Sequence, residues 1–392
     1  MGKGAIAMEY RRIKGIETPV SVIGFGGVYL EGMPGEKIIE MIHHAMDLGV
    51  NLLDLYMPQP EIRDAIGEAI RTHPGKMMIQ GHLCTVCGGD GQYIRSRNLE
   101  EVKRSFEDML DRLKQDHVDF GIIHFLDSEK DCEAVEKSGI LEYALDLKSQ
   151  GVIRKLGFSS HNAVTAMKQV ETGLYEMLMF SLNPAYDLDH GQREVEDIME
   201  FRGVSVDERA LGIAPARIAL YQLCEALGIG ITVMKALAAG RLLSAESSPF
   251  GKAMTPAQCY HYALDRPGVV SVLPGLSTLH EIDEAAAYCQ STEAERDYSA
   301  IAEAPSFQMQ GQCMYCNHCQ PCPMGIDVAA VTKYLDVARE HGGRIPGATA
   351  EHYKALAVHA SDCIECGSCL KRCPFGVDVV VNMQEARRIF GL

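Results

Sequence analysis

The chain has no tryptophan, no excess of basic residues and no long apolar run. No stretch approaches the roughly 20 consecutive apolar residues that a membrane-spanning helix needs. Lysine and arginine number 37 against 53 acidic residues, which gives a net charge of −16 at pH 7. Nucleic acid is recognised by a basic stripe, and anionic membranes attract cations, so neither is expected as a partner. Met1–Arg12 holds no apolar core of signal-peptide length, and a cytoplasmic location is expected. The missing tryptophan decides nothing about the fold.

Cysteine, by contrast, is abundant, with 14 in 392 residues. A reducing cytosol disfavours disulfides, so the thiols call for another use. Cys84, Cys87, Cys132, Cys224, Cys259 and Cys289 are scattered or loosely grouped, and the other eight form two tight runs near the C-terminus. Apolar residues at 47 % and charged residues at 23 % are the composition of a globular protein with an ample core. A chain this long invites division into a large and a small unit.

Up to about residue 300 short apolar runs alternate with helical patterns, the signature of parallel βα units. Candidate strands are Val20–Phe25, Asn51–Asp54, Met77–Gln80, Val118–His124, Ile153–Phe158, Met177–Leu182, Gly230–Met234 and Val269–Leu273. Amphipathic stretches between them include Lys37–Leu48, Leu99–Leu113, Leu141–Ser149, Ala216–Leu227 and Leu279–Tyr288. Eight strands with helices between them predict a closed (β/α)8 barrel of the TIM type. Asp187–Gly212 is longer than a simple connection and is expected to be an insertion. Beyond Ala304-Pro305 the alternation stops, and Val328–Glu340 and Ala350–His359 predict helices. The expected domains are residues 1–305, the barrel, and 306–392, a small α-helical domain.

The first cysteine run reads Cys313-Met-Tyr-Cys316-Asn-His-Cys319-Gln-Pro-Cys322-Pro323, and the second Cys363-Ile-Glu-Cys366-Gly-Ser-Cys369-Leu-Lys-Arg-Cys373-Pro374. Two-residue spacings curl the backbone so that three thiolates converge, and the closing proline sends the fourth elsewhere. In two-cluster ferredoxins the fourth cysteine ligates the other cluster. This pattern assigns Cys313, Cys316, Cys319 and Cys373 to one [4Fe-4S] cluster, and Cys363, Cys366, Cys369 and Cys322 to a second. The alternative is a pair of four-thiolate zinc sites. His318 lies between two ligands, and Lys371 and Arg372 flank Cys373, either offsetting cluster charge or simply solvated.

In the first 300 residues, Val20-Ser-Val-Ile-Gly-Phe-Gly-Gly27, Leu48-Gly-Val-Asn-Leu-Leu-Asp54, Val118-Asp-Phe-Gly-Ile-Ile-His124, Ile153-Arg-Lys-Leu-Gly-Phe-Ser-Ser160 and Met234-Lys-Ala-Leu-Ala-Ala-Gly-Arg-Leu-Leu243 stand in order. They resemble successive landmarks of the aldo/keto reductases. With the cysteine runs the chain is most similar to that family's iron–sulfur branch. The resemblance implies hydride transfer from NAD(P)H to a carbonyl at the C-terminal ends of the strands. A tyrosine protonates the oxygen, a lysine paired with an aspartate sharpens its acidity, and a histidine orients the substrate. Asp54 matches the aspartate and His124 the histidine. Gln59 stands where the tyrosine belongs and His82 where the lysine belongs.

Gln cannot protonate an alkoxide, and His82 titrates near neutrality. Tyr56, two residues from Asp54, is the candidate replacement if the strand continues. The candidate acid–base set is therefore Asp54, Tyr56, His82 and His124. Ser159 and Ser160 are candidates to meet a nicotinamide amide. Pro274–Ala285 lies where the family grips the dinucleotide phosphate, but offers His280 and Ala285 in place of its Arg and Asn. A 2′-phosphate wants a cation, so NAD(P)H binding is left open. Cys84 and Cys87 are expected on a loop above the third strand, as a redox dithiol, as an approach to a cluster edge or as ordinary loop cysteines.

Three readings follow. The first is an anaerobic-type oxidoreductase in which the clusters deliver electrons to a carbonyl-type small molecule in the barrel mouth. The second is an NAD(P)H-dependent carbonyl reductase with a rebuilt acid, and the third a non-catalytic electron-transfer protein. A ferredoxin or other redox partner is expected for such a domain.

Overall fold

The computed structural model describes residues 7–89, 91–188, 213–299, 301, 311, 313, 319–340, 345, 347–373 and 376–392. Twelve strands occur among them: β1 (Tyr10–Arg11), β2 (Val20–Ser21), β3 (Phe25–Gly26), β4 (Leu52–Leu55), β5 (Met78–Leu83), β6 (Thr85–Cys87), β7 (Tyr93–Arg95), β8 (Val118–Ile123), β9 (Ile153–Ser160), β10 (Met177–Ser181), β11 (Gly230–Met234) and β12 (Val269–Val272). Eight of these form one parallel sheet in the order β12-β11-β10-β9-β8-β5-β4-β3. The sheet closes on itself. Bridges Ile23↔Val272 and Gly26↔Gly275 join its ends, held by Gly24 N–H to Val272 O at 2.8 Å and Gly26 N–H to Pro274 O at 2.9 Å. The expected barrel is present.

The first expected strand, Val20–Phe25, is split. Val20–Ser21 pairs antiparallel with Tyr10–Arg11 as a ribbon, and only Phe25–Gly26 enters the barrel sheet. An apolar run reports burial without saying which neighbour supplies the hydrogen bonds. The expected insertion over Asp187–Gly212 lies, from residue 189 on, outside the described residues, as does the expected domain boundary.

Alternation along each strand divides the barrel into two layers. Leu53, Leu55, Ile79, Ile123, Phe158 and Phe180 face the surrounding helices. Leu52, Met78, Phe120, Ile122, Met177 and Met179 form a separate core with Ile13 and Val20 of the N-terminal segment, which plug the lumen at the N-terminal ends of the strands. Nearer the C-terminal ends the lumen turns polar, with Asp54, Gln80, His82, Ser159 and Thr232 all buried. A functional site is positioned by this change from apolar to polar.

Among the described residues of 311–392 the regular elements are all helices, joined by irregular segments. Val328–Glu340 packs against Val379–Phe390, tied by Arg339 to Glu385 at 2.6 Å and to Asn382 Oδ1 at 2.8 Å. The expected helix Ala350–His359 starts and ends earlier, at Gly347–Lys354. Tyr353 there stacks on Phe390 at 3.9 Å between ring centroids. Lys333 joins this domain to the barrel through its ion pair with Glu225 and its carbonyl, which accepts from Gln222 Nε2 at 3.3 Å.

Candidate active site and cysteine domain

Asp54 on β4 and His82 on β5 come together with His124, which immediately follows β8. Thr232 Oγ1 donates to Gln80 Oε1 at 2.9 Å, and Gln80 Nε2 donates to Asp54 Oδ1 at 2.6 Å. The same carboxylate oxygen meets His82 Nε2 at 2.9 Å. His82 Nδ1 lies 3.0 Å from His124 Nδ1. A hydrogen-bonded chain thus crosses the lumen and ends on His124, which is more exposed than His82.

With Nε2–H of His82 held by Asp54, the two Nδ1 atoms must share one proton. Burial, then the His82 charge, holds His124 well below the ordinary histidine value, so it is neutral at pH 7. Neutral His124 carries its proton either on Nδ1, donating to His82, or on Nε2, accepting at Nδ1 from a charged His82. Passage of the Nδ1 proton to His82 across the 3.0 Å contact, with uptake of a proton from outside at His124 Nε2, therefore places a donor on the outer edge of His124.

Tyr56 stacks parallel to His124, ring centroids 5.9 Å apart. Its phenol is a weak acid here: burial, then the Asp54 carboxylate, pushes it well above 10. Beyond β5 the chain makes a hairpin, β6–β7, that folds over the same rings. Tyr93 on this hairpin meets His124 edge-on at 5.4 Å. Gln59, expected at the lost tyrosine position, is buried and ties the hairpin down by donating to Gly91 O at 3.3 Å. Arg97 clamps the end of β8 through His124 O at 2.6 Å and Phe125 O at 2.8 Å. Cys84 is buried and burial raises its thiol, whereas Cys87 is exposed.

At the end of β9 the two serines differ. Ser160 Oγ is engaged by the fold, 2.7 Å from Leu126 O and 2.9 Å from Asp127 Oδ1. Ser159 Oγ is buried with no hydrogen-bond partner among the described residues. Two groups the sequence reading missed lie nearby. Asp127 pairs with His161 Nδ1 at 3.0 Å, both buried. Lys235, just past β11, is lowered to about 8 by burial, with Asp127 opposing. His161 directly follows Ser160, and Gln80 shares the face of His82 two residues on, so period-two alternation signalled Gln80. Nothing in the spacing signalled Lys235.

In the segment expected to grip a dinucleotide phosphate, three donors are occupied by a carboxylate. Glu281 Oε2 accepts from Ser277 N at 2.7 Å, Ser277 Oγ at 2.8 Å and Thr278 N at 3.2 Å. Ala285 is buried and His280 exposed. A carboxylate repels the phosphate that such amides would otherwise bind, so these residues do not fit a nucleotide phosphate.

In the C-terminal domain Cys322, Cys363, Cys366 and Cys369 line one cavity, together with Cys319. Its other walls include Met324, Ile364 and Val380. Glu365 at φ +56° and Gly367 at φ +68° are left-handed on either side of Cys366, and these two reversals curl the run. Glycine takes this conformation freely, whereas Glu365 does so at a cost that functional sites often carry. Arg372 is not merely solvated, since it donates to Cys319 O at 2.9 Å and Pro321 O at 2.7 Å and so ties the two runs together. Soft thiolates on an apolar cavity are the donor set that an iron–sulfur cluster takes. Cys313 and Cys373 are partly buried, and Cys316 and His318 lie outside the described residues.

Residues 22–206 match the model of the aldo/keto reductase family, and residues 312–377 that of the 4Fe-4S dicluster domain. The holo form of the aldo-keto reductase AKR11C1 from Bacillus halodurans is similar in fold, with TM-score 0.57, 20% identity and coverage of 76% of this chain and 96% of that one. So is an aldo/keto reductase from Klebsiella pneumoniae solved with NADP and acetate, at TM-score 0.50, 16% identity and coverage of 76% and 95%. No curated protein matches the chain. Barrel and mouth together define an oxidoreductase of the aldo/keto reductase type. This chain carries an aldo/keto reductase domain followed by a 4Fe-4S dicluster domain, the combination that matches an iron–sulfur aldo/keto reductase.

Proposed function

We propose that the protein reduces a carbonyl-type small molecule in the barrel mouth with electrons from its iron–sulfur domain, and that Asp54, His82 and His124 manage the protons. The observation that carries this reading is the hydrogen-bonded chain from Asp54 through His82 to His124. Asp54 holds His82 by Nε2 and so turns its Nδ1 toward His124. His82 passes its Nδ1 proton to His124 Nδ1 as the Nε2 proton of His124 goes to the substrate. Tyr56 holds the His124 ring in place by stacking. The occupied donors around Glu281 support an electron source other than a bound dinucleotide.

Cys322, Cys363, Cys366 and Cys369 would hold one [4Fe-4S] cluster, and Cys313, Cys316, Cys319 and Cys373 the other. When bound, such clusters supply single electrons at low potential. A ferredoxin or other redox protein is the partner this chemistry calls for. The test is turnover of a simple carbonyl probe, acetophenone, by the anaerobic dithionite-reduced holoprotein. His124→Ala should lower the rate by about 100-fold or more, the usual worth of a positioned acid. Undiminished turnover in that variant would contradict the reading.

A further inference from the structure

Reducing a carbonyl to an alcohol consumes two electrons and two protons, and the Asp54–His82–His124 chain delivers one proton at a time. Among the described residues the mouth holds a further phenol, Tyr93, that can deliver the second. Tyr93 does not belong to the barrel wall. It is brought over the lumen by the β6–β7 hairpin, where Val86 pairs with Ile94 and Cys87 with Tyr93. Its ring stands edge-on to His124 at 5.4 Å and 87°, and edge-on to Tyr56 at 5.6 Å and 86°. It is partly exposed, as a group meeting substrate must be.

The hairpin is held at several points. Gln59 Nε2 donates to Gly91 O, and Ser96 N donates to Cys84 O at 3.0 Å. Arg95 pairs with Asp131 at 3.1 Å and lies 4.3 Å over the Phe125 ring, while Arg97 binds the carbonyls that follow β8. Two guanidinium groups are thereby fixed two and four residues along from Tyr93.

We propose that Tyr93 is the proton donor to the carbonyl oxygen, with Arg95 and Arg97 stabilising the tyrosinate it leaves. This rests on the carbonyl-reduction reading above and supplies the phenol absent from position 59. The Oη–H bond of Tyr93 breaks as an O–H bond forms on the substrate oxygen. Two electrons come from the iron–sulfur domain, and His124 supplies the proton that reaches carbon. Solvent then reprotonates Tyr93.

The charges around the two tyrosines separate them. Burial pushes the Tyr93 phenol up to about 12, and Arg95 and Arg97 pull it back toward ionisation. Around Tyr56 burial is reinforced by Asp54, Tyr93 and Glu31, all of which oppose ionisation. Tyr93 is the better acid of the pair.

The experiment uses the iron–sulfur-loaded protein carrying 3-fluorotyrosine at position 93 or 56, followed by fluorine NMR and by turnover of acetophenone under dithionite. Tyr93→Phe should lower turnover by about 100-fold. The more acidic fluorotyrosine at 93 should move the alkaline limb of the rate profile to lower pH, which a purely structural role would not. In the absence of substrate, Arg95→Gln should raise the titration midpoint of the label at 93 and leave that at 56 in place. A wild-type rate and profile in Tyr93→Phe, or a label at 93 indifferent to Arg95→Gln, overturns the proposal. A protein that reduces no carbonyl while the label responds to Arg95→Gln points instead to failure of the underlying reading, and it too overturns the assignment of Tyr93 as donor.

Discussion

The cysteine cavity and the barrel mouth gather their side chains in opposite ways. Cys363, Cys366 and Cys369 converge through one curled run, shaped by the left-handed Glu365 and Gly367 and braced by Arg372. The mouth instead joins residues 28, 42 and 152 positions apart, as in Asp54–His82, His82–His124 and Gln80–Thr232. A locally made site survives distortion elsewhere, whereas a site made by barrel closure depends on every wall of the barrel. The two regions should therefore fail independently.

The most severe break is on the cysteine side. Cys366→Ser removes one thiolate of the cavity set, and iron and acid-labile sulfide should fall by about half on the two-cluster assignment. Circular dichroism should report an intact barrel. Asp54→Asn is the matching break in the mouth. It leaves His82 without its anionic partner, and turnover should drop by about 100-fold while cluster spectra stay unchanged.

A smaller effect separates the two regions by stability. Gly67 lies where the helix Pro60–Thr72 crosses Leu99–Leu113, and a Cβ there would fall 2.2 Å from Arg112 O. Gly67→Ala should cost the barrel about 1–3 kcal/mol, the range for overpacking, read by urea unfolding, with no loss of iron. The smallest effect is on pH dependence. Folded His124 refuses the proton that an unfolded histidine accepts near 6.5. Its contribution is thus fully present above that pH and is lost as the pH falls through it toward the lower folded value. The melting temperature should decline between pH 7 and pH 5, and His124→Gln should flatten that decline.

Much of this was legible in the chain because the signals are periodic or local. Seven of the eight barrel strands occur where apolar runs place them, since a strand buried on both faces needs such a run, and the first keeps only Phe25 of its expected span. Asp54, His82 and His124 were legible through the resemblance to aldo/keto reductase landmarks, and the dicluster domain from cysteine spacing. What stayed hidden depends on contacts made only after folding. Ser21 belongs to a ribbon rather than to the barrel because Tyr10 pairs with it. Glu281 turns back on Ser277 and Thr278 as part of a helix cap, which changes the meaning of a loop expected to hold phosphate. Tyr93 reaches the mouth only through a hairpin that interrupts the βα alternation.

The most direct measurement is an anaerobic spectroscopic titration of the iron–sulfur-loaded protein with NADPH, NADH and dithionite in turn. Dithionite should bleach the cluster absorption and subsequent addition of a carbonyl substrate should restore it, with neither nicotinamide able to do the same. Rapid, stoichiometric bleaching by NADPH, together with tight NADPH binding, would contradict a mouth whose electrons come from the cysteine domain.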